Sequence, residues 1–113
     1  RIIFWLLLGA ILAISIMPAE EAPSVFADDK LNHILAFFTL SFMARIVWPR
    51  VNALALFCML AIFGGAIEVL QFSMGLGRQA DWMDFAADIL AILIGMLFGQ
   101  ILNSIRNRIA IDG

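Results

Sequence analysis

The chain has 113 residues, 64% of them hydrophobic and only 14% charged, with a mean hydropathy of +1.02 and a formal net charge of −2. Ordinary soluble domains are near half apolar and about a quarter charged, so the composition excludes a water-soluble globular domain. Residues 1–113 are too short for two domains, and without a Lys/Arg stripe able to neutralise phosphates, nucleic acid is excluded as a partner.

A hydrocarbon layer about 30 Å thick is crossed by roughly 20 apolar helical residues, and four stretches come near that length. The first predicted span runs from about Ile2 to Met17 and stops at Pro18. Arg1 before it and Ala19 and Ala22 after it also fit a cleavable signal sequence. The distribution of basic residues favours the span. In the acidic connection that follows, Glu20, Glu21 and Asp28 read as solvated loop charges. The second predicted span runs from about Leu31 to Trp48 and ends before Pro49. The third runs from about Val51 to Met74 and carries the lone cysteine, Cys58. A single cysteine allows no internal disulfide, and Cys58 is expected to pack as a small hydrophobe against a neighbouring helix. A glycine-containing loop, Gly75 to Asp81, leads to the fourth span, from about Asp84 to Leu102.

Basic residues orient these spans. Arg1, Arg45, Arg50, Arg106 and Arg108 fall at the N-terminus, the second connection or the C-terminus, and only Lys30 and Arg78 fall on the other side. Cytoplasmic flanks carry the excess of Lys and Arg. The expected fold is therefore all-α, a four-helix transmembrane bundle with both termini cytoplasmic. Trp5 and Trp48 then lie at the inner interface and Trp82 at the outer one, as aromatic belts prefer. Arg45, one turn from the end of its helix, reaches the inner interface by extending its side chain.

This topology gathers the ionisable residues at one level. His33 and Asp29 lie at the outer end of the second helix, Glu68 and Gln71 near the outer end of the third, and Asp84 and Asp88 at the outer start of the fourth. At about 100° per residue, Asp84, Asp88, Ala91, Gly95 and Gly99 share one face, and Ala61, Gly64, Glu68 and Gln71 share another. Gly95-x-x-x-Gly99 is a small-residue pattern that permits close helix approach, so the acids are expected to point into the bundle. Asp29, Glu68, Asp81, Asp84 and Asp88 set five carboxylates against Lys30 and Arg78, an excess of three negative charges if all ionise. Bound cations, shared protons or a cationic ligand relieve such an excess. Oxygen donors in this number suit Mg²⁺ or Ca²⁺, and His33 admits Zn²⁺ or Mn²⁺, although no closed metal signature such as H-E-x-x-H is present. Each residue also has a plainer role. Asp81 caps the fourth helix, Asp84 suits the positive end of its dipole, Lys30 and Arg78 tie outer loops together, and Gln71 bridges helices.

Asp29-Lys30-x-x-His33 opening one helix, Glu68-x-x-Gln71 ending the next and Arg78-x-x-Asp81-x-x-Asp84 leading into the last resemble the VanZ-like family of small bacterial membrane proteins. The likeness covers Asp29 to about Gly99. It departs from the family pattern where an Asn four residues after the last Asp, and a Gly three further on, are replaced by Asp88 and Ala91. The resemblance implies a four-span protein of the bacterial cytoplasmic (inner) membrane. The family's founding member is associated with low-level resistance to the glycopeptide teicoplanin, a phenotype that a shared fold does not transfer.

Two functions from different classes follow. In the first, an outward-facing polar site acts on or binds a lipid-linked or cell-envelope molecule. His33 oriented by Asp29 is then the general base, Glu68 and Asp84 hold a cation or proton, and Lys30 and Arg78 grip an anionic head group, with Gln71, Asp81 and Asp88 lining the site. In the second, the same residues form a structural network inside a non-enzymatic envelope-assembly module. Membrane lipid is the expected surrounding in both, and the small-residue ridge also permits a homo-oligomer. Ion or proton transport fits poorly, because the inner half offers no ionisable residue beyond Arg45.

Overall fold

The computed structural model describes residues 1–15, 29–74 and 82–112. Among them are four α-helices and no strand: α1 (Ile2–Ser15), α2 (Asp29–Val47), α3 (Ala53–Met74) and α4 (Trp82–Asp112). Pro49 lacks the amide hydrogen that a continuing helix would use, and α2 accordingly ends at Val47. Asn52 then caps α3. Its Oδ1 accepts hydrogen bonds from the backbone N–H groups of Leu54 at 2.8 Å and Ala55 at 3.4 Å, two of the amides that a helix start leaves open. The cap makes α3 begin at Ala53, slightly later than the apolar run.

The larger departure is in α4, which continues to Asp112 instead of ending near Leu102. Loss of apolarity marks the edge of hydrocarbon but does not stop a helix. The stretch from Asn103 to Asp112 contains neither Gly nor Pro, the strongest helix breakers. Its 31 residues extend about 46 Å at about 1.5 Å each, well beyond the roughly 30 Å of a hydrocarbon core. Two stretches, Ala53–Ser73 and Phe85–Ala110, are long and apolar enough to cross a membrane, whereas Ile2–Ser15 and Leu31–Val47 are apolar but shorter.

α2 and α4 form the closest pair, with α3 against both and α1 against α2 and α3. Glycines set that closeness. A Cβ on Gly95 would strike Ser41 Oγ and stand 2.5 Å from the Phe38 carbonyl oxygen. One on Gly99 would stand 2.8 Å from Arg45 Cβ. Ser41 Oγ uses the approach to reach Ala91 O on α4 at 3.4 Å, besides its own-helix bond to Phe38 O at 3.0 Å. The buried stripes follow helical spacing: His33, Phe37, Leu40, Ser41 and Ala44 on α2; Leu56, Leu60, Gly64, Ile67 and Gln71 on α3; Asp88, Ala91, Ile92, Gly95, Met96 and Gly99 on α4. Cys58 is exposed and does not pack against a neighbour. It lies two residues from Leu56, about 200° around the helix from the buried stripe. The outward side of α3 is strongly apolar, with Ile62 71% and Phe72 76% exposed.

Different contacts close the two ends. At the α2–α3 turn, Phe4 packs edge-on against Trp5 and Trp48, with ring centroids 5.2 and 5.0 Å away. The Arg1 guanidinium stands 5.7 Å above the Trp48 ring, a cation–π arrangement. Arg45 donates to Gln100 Oε1 at 2.9 Å and to Val51 O at 2.6 Å, and its own carbonyl accepts from Asn103 Nδ2 at 2.9 Å. At the other end the start of α2, the end of α3 and the start of α4 meet.

Candidate functional site

Three helices each contribute one polar side chain at that second end. His33 comes from α2, one turn before Phe37; Glu68 from α3, one turn after Gly64; Asp88 from α4, on the stripe that Gly95 and Gly99 continue. His33 and Asp88 lie on the buried stripes of their helices and the partly buried Glu68 lies beside that of α3, so packing the apolar residues brings the polar ones together. His33 Nδ1 lies 3.4 Å from Asp88 Oδ1, and the two residues are 8% and 1% exposed. One donor atom from each of His33, Glu68 and Asp88 falls within 4.8 Å of the others. Both oxygens of Glu68 and of Asp88, and Nδ1 of His33, each expose less than 1 Å².

One turn further into the bundle the surroundings become apolar. A Cβ on Gly64 would meet the Phe37 ring at 3.3 Å and Asp88 Oδ2 at 3.4 Å. Gly64 thus leaves the room that the Asp88 carboxylate occupies beside α3, and Phe37 closes the floor. One turn beyond Glu68 on α3, Gln71 is buried and its Nε2 donates to Ser15 O at 3.1 Å. The bond fastens α1 to α3 one turn from Glu68.

The electrostatics limit what this cluster can be. Two ionised carboxylates in an apolar interior are costly unless protons, a cation or cationic side chains neutralise them. Two carboxylates and a neutral imidazole around a divalent cation carry no net charge. Donors about 2.0–2.1 Å from a tetrahedral cation stand about 3.4 Å apart, which is the separation of His33 Nδ1 and Asp88 Oδ1. One nitrogen and two carboxylate oxygens suit Zn²⁺ or Mn²⁺, and three protein donors leave a position open for water or substrate.

Of the residues singled out in the sequence, the described part unites His33, Glu68 and Asp88 and sets Gln71 one turn away. Asp29 and Lys30 begin α2 and Asp84 lies in the first turn of α4. The side chains of these three residues, and the whole of Arg78 and Asp81, lie outside the described residues. Sequence reasoning did not find Ser15, which contributes a backbone oxygen and so leaves no side-chain signal. Nor did it find that Gly64 makes space for Asp88, although Gly64 and Glu68 share one stripe.

The chain matches no protein-family model, no curated protein and no solved structure. Its likeness to the VanZ-like family therefore rests on the residues of the three short patterns.

Proposed function

We propose that this chain is a VanZ-like integral membrane protein of the bacterial inner membrane, crossing it four times with both termini in the cytoplasm. In this reading His33, Glu68 and Asp88 hold a divalent cation beneath the outer surface, and the cation's open position engages a lipid-linked or cell-envelope molecule. The convergence of three donors from three helices within 4.8 Å carries the proposal. Supporting it are two helices long enough to span, the large exposed apolar surface, and the concentration of arginines at the end opposite the donors. An electrophilic cation suits anionic phosphate or carboxylate groups, which it polarises. Lys30 and Arg78 flank the site in sequence and add positive charge for such a head group.

Thermal unfolding of purified protein in detergent tests this reading. Chelator-stripped protein should gain several degrees in Tm on adding Mn²⁺ or Zn²⁺, since a cation at about 100 times its Kd stabilises by about 2.7 kcal/mol. Glu68→Gln and Asp88→Asn should abolish the gain. Equal gains in both variants and the parent, or none in the parent, would overturn cation binding.

A second reading has its own observation, the depth at which the three polar groups are enclosed. Here they form a polar lock, and the Gln71–Ser15 bond extends it to α1. Its signature is a fall in Tm for the same variants in metal-free buffer, with no response to cations in the parent.

A further inference from the structure

At the opposite end of the bundle a hollow of about 310 Å³ is lined by Ile46, Pro49, Arg50, Asn103, Arg106 and Asn107. The last residues of α2, the α2–α3 turn and the late part of α4 supply its walls. We propose that this hollow binds the phosphodiester head group of an anionic phospholipid, with Arg50 and Arg106 as the cationic jaws.

Three observations carry the proposal. First, two arginines from separate segments line one space, and guanidinium forks match phosphate oxygens. Orientation in a membrane requires only that arginines lie on one side; it does not require two of them, from separate segments, to line the same hollow. Second, the charge along the segments that form this end is predominantly positive, with Asp112 following at the end of α4. No Asp or Glu occurs between Lys30 and Ile67, or between Ile89 and Ile111, while Arg45, Arg50, Arg106 and Arg108 all fall in those intervals. Third, the walls are fixed by other bonds. Asn103 Nδ2 holds the Arg45 carbonyl at 2.9 Å, and Arg45 holds Val51 O at 2.6 Å, so α4 and the turn are fastened beside the hollow. A site held by bonds other than the ligand's own loses little entropy when occupied.

A lipid fits better than a free anion. Ile46 lines the inner wall of the hollow. Leu102, one turn before Arg106 on α4, is half-buried and adds apolar surface on the membrane side of the arginines. Because α4 continues past the expected membrane edge, Arg106 and Asn107 remain helical and keep their register against the turn. The inference rests on the membrane reading above, and on the arginine-rich end facing an anionic leaflet. It is independent of the cation site.

Native mass spectrometry of the whole protein, released from detergent, provides the test. Phosphatidylglycerol and phosphatidylcholine are added separately, and phosphatidylglycerol also together with inorganic phosphate, to the parent, Arg50→Gln, Arg106→Gln and the double variant. Phosphatidylglycerol should bind the parent in preference to phosphatidylcholine, with occupancy falling about fivefold for each arginine removed and declining as salt rises. Equal binding of the two lipids, or equal phosphatidylglycerol binding by parent and double variant, overturns the site. Inorganic phosphate competing at concentrations equal to the lipid overturns the lipid assignment. A parallel alkaline wash of membranes separates the two levels. If the chain stays in the pellet while lipid preference fails, only the hollow is refuted; if it washes out, the membrane reading falls and this inference with it.

Discussion

The two ends of the bundle use their described polar side chains in opposite ways. At the α2–α3 turn, Arg45, Gln100 and Asn103 spend their hydrogen bonds on one another and on backbone carbonyls, while Arg50 and Arg106 stay at the exposed rim. Nothing charged there is forced out of water. At the other end His33 and Asp88 are buried beside Phe37 and Ile92, and the carboxylate oxygens of the partly buried Glu68 are turned away from solvent, so helix packing itself encloses the polar atoms. Rim polar groups of the first kind are accounted for by capping, tethering and orientation. Acids of the second kind are costlier to enclose, because apolar residues would pack as well at no electrostatic cost. The contrast is what makes the second end the candidate site.

The most damaging change should strike what the ends share. Gly95→Leu would drive α2 and α4 apart at Ser41 and the Phe38 carbonyl. It should abolish a monodisperse peak on size-exclusion chromatography, whereas Gly95→Ala should cost about 1–3 kcal/mol by overpacking. Next in size is a difference between the ends. Asp88→Asn should remove the cation-dependent gain in Tm, worth about 2–3 kcal/mol at saturation, while Arg50→Gln should leave that gain intact. Smaller again is Arg45→Met, which deletes the bonds to Gln100 and Val51. It should cost about 1–2 kcal/mol in chemical denaturation without altering the cation response. Gln71→Leu should lose about 1 kcal/mol and raise proteolysis or hydrogen exchange around Ser15, because it removes the bond between α1 and α3. A cation response that followed Arg45 rather than Asp88 would erase the distinction between the ends.

Much of the helical plan was legible, because four apolar runs separated by proline, glycine and charge leave few alternatives. The level of His33 and Glu68 was legible for a related reason. Each lies near the same end of its run once successive helices alternate in direction. Helical phase pointed to the rest: Asp88 falls four and three residues before Ile92 and Ala91, on the stripe of Gly95 and Gly99. Side-chain partners across helices were not legible. Nothing in the sequence near Arg45 names Gln100 or Asn103, more than fifty positions away. The extent of α4 was hidden because apolarity reports on solvent, and the polar residues after Leu102 are acceptable helix formers. Cys58 was misplaced for the opposite reason. In a run apolar on all sides, composition does not say which face is buried.

Metal content measured after equilibrium dialysis addresses the enclosed end most directly. Chelator-stripped parent protein is dialysed against Mn²⁺ and, separately, against Zn²⁺, then analysed by inductively coupled plasma mass spectrometry. About one equivalent of one of these ions per chain in the parent, and none in Glu68→Gln or Asp88→Asn that remain folded, is the result expected from three donors gathered in a net-neutral site. No uptake of either ion by the parent, or equal uptake by parent and both variants, would contradict it.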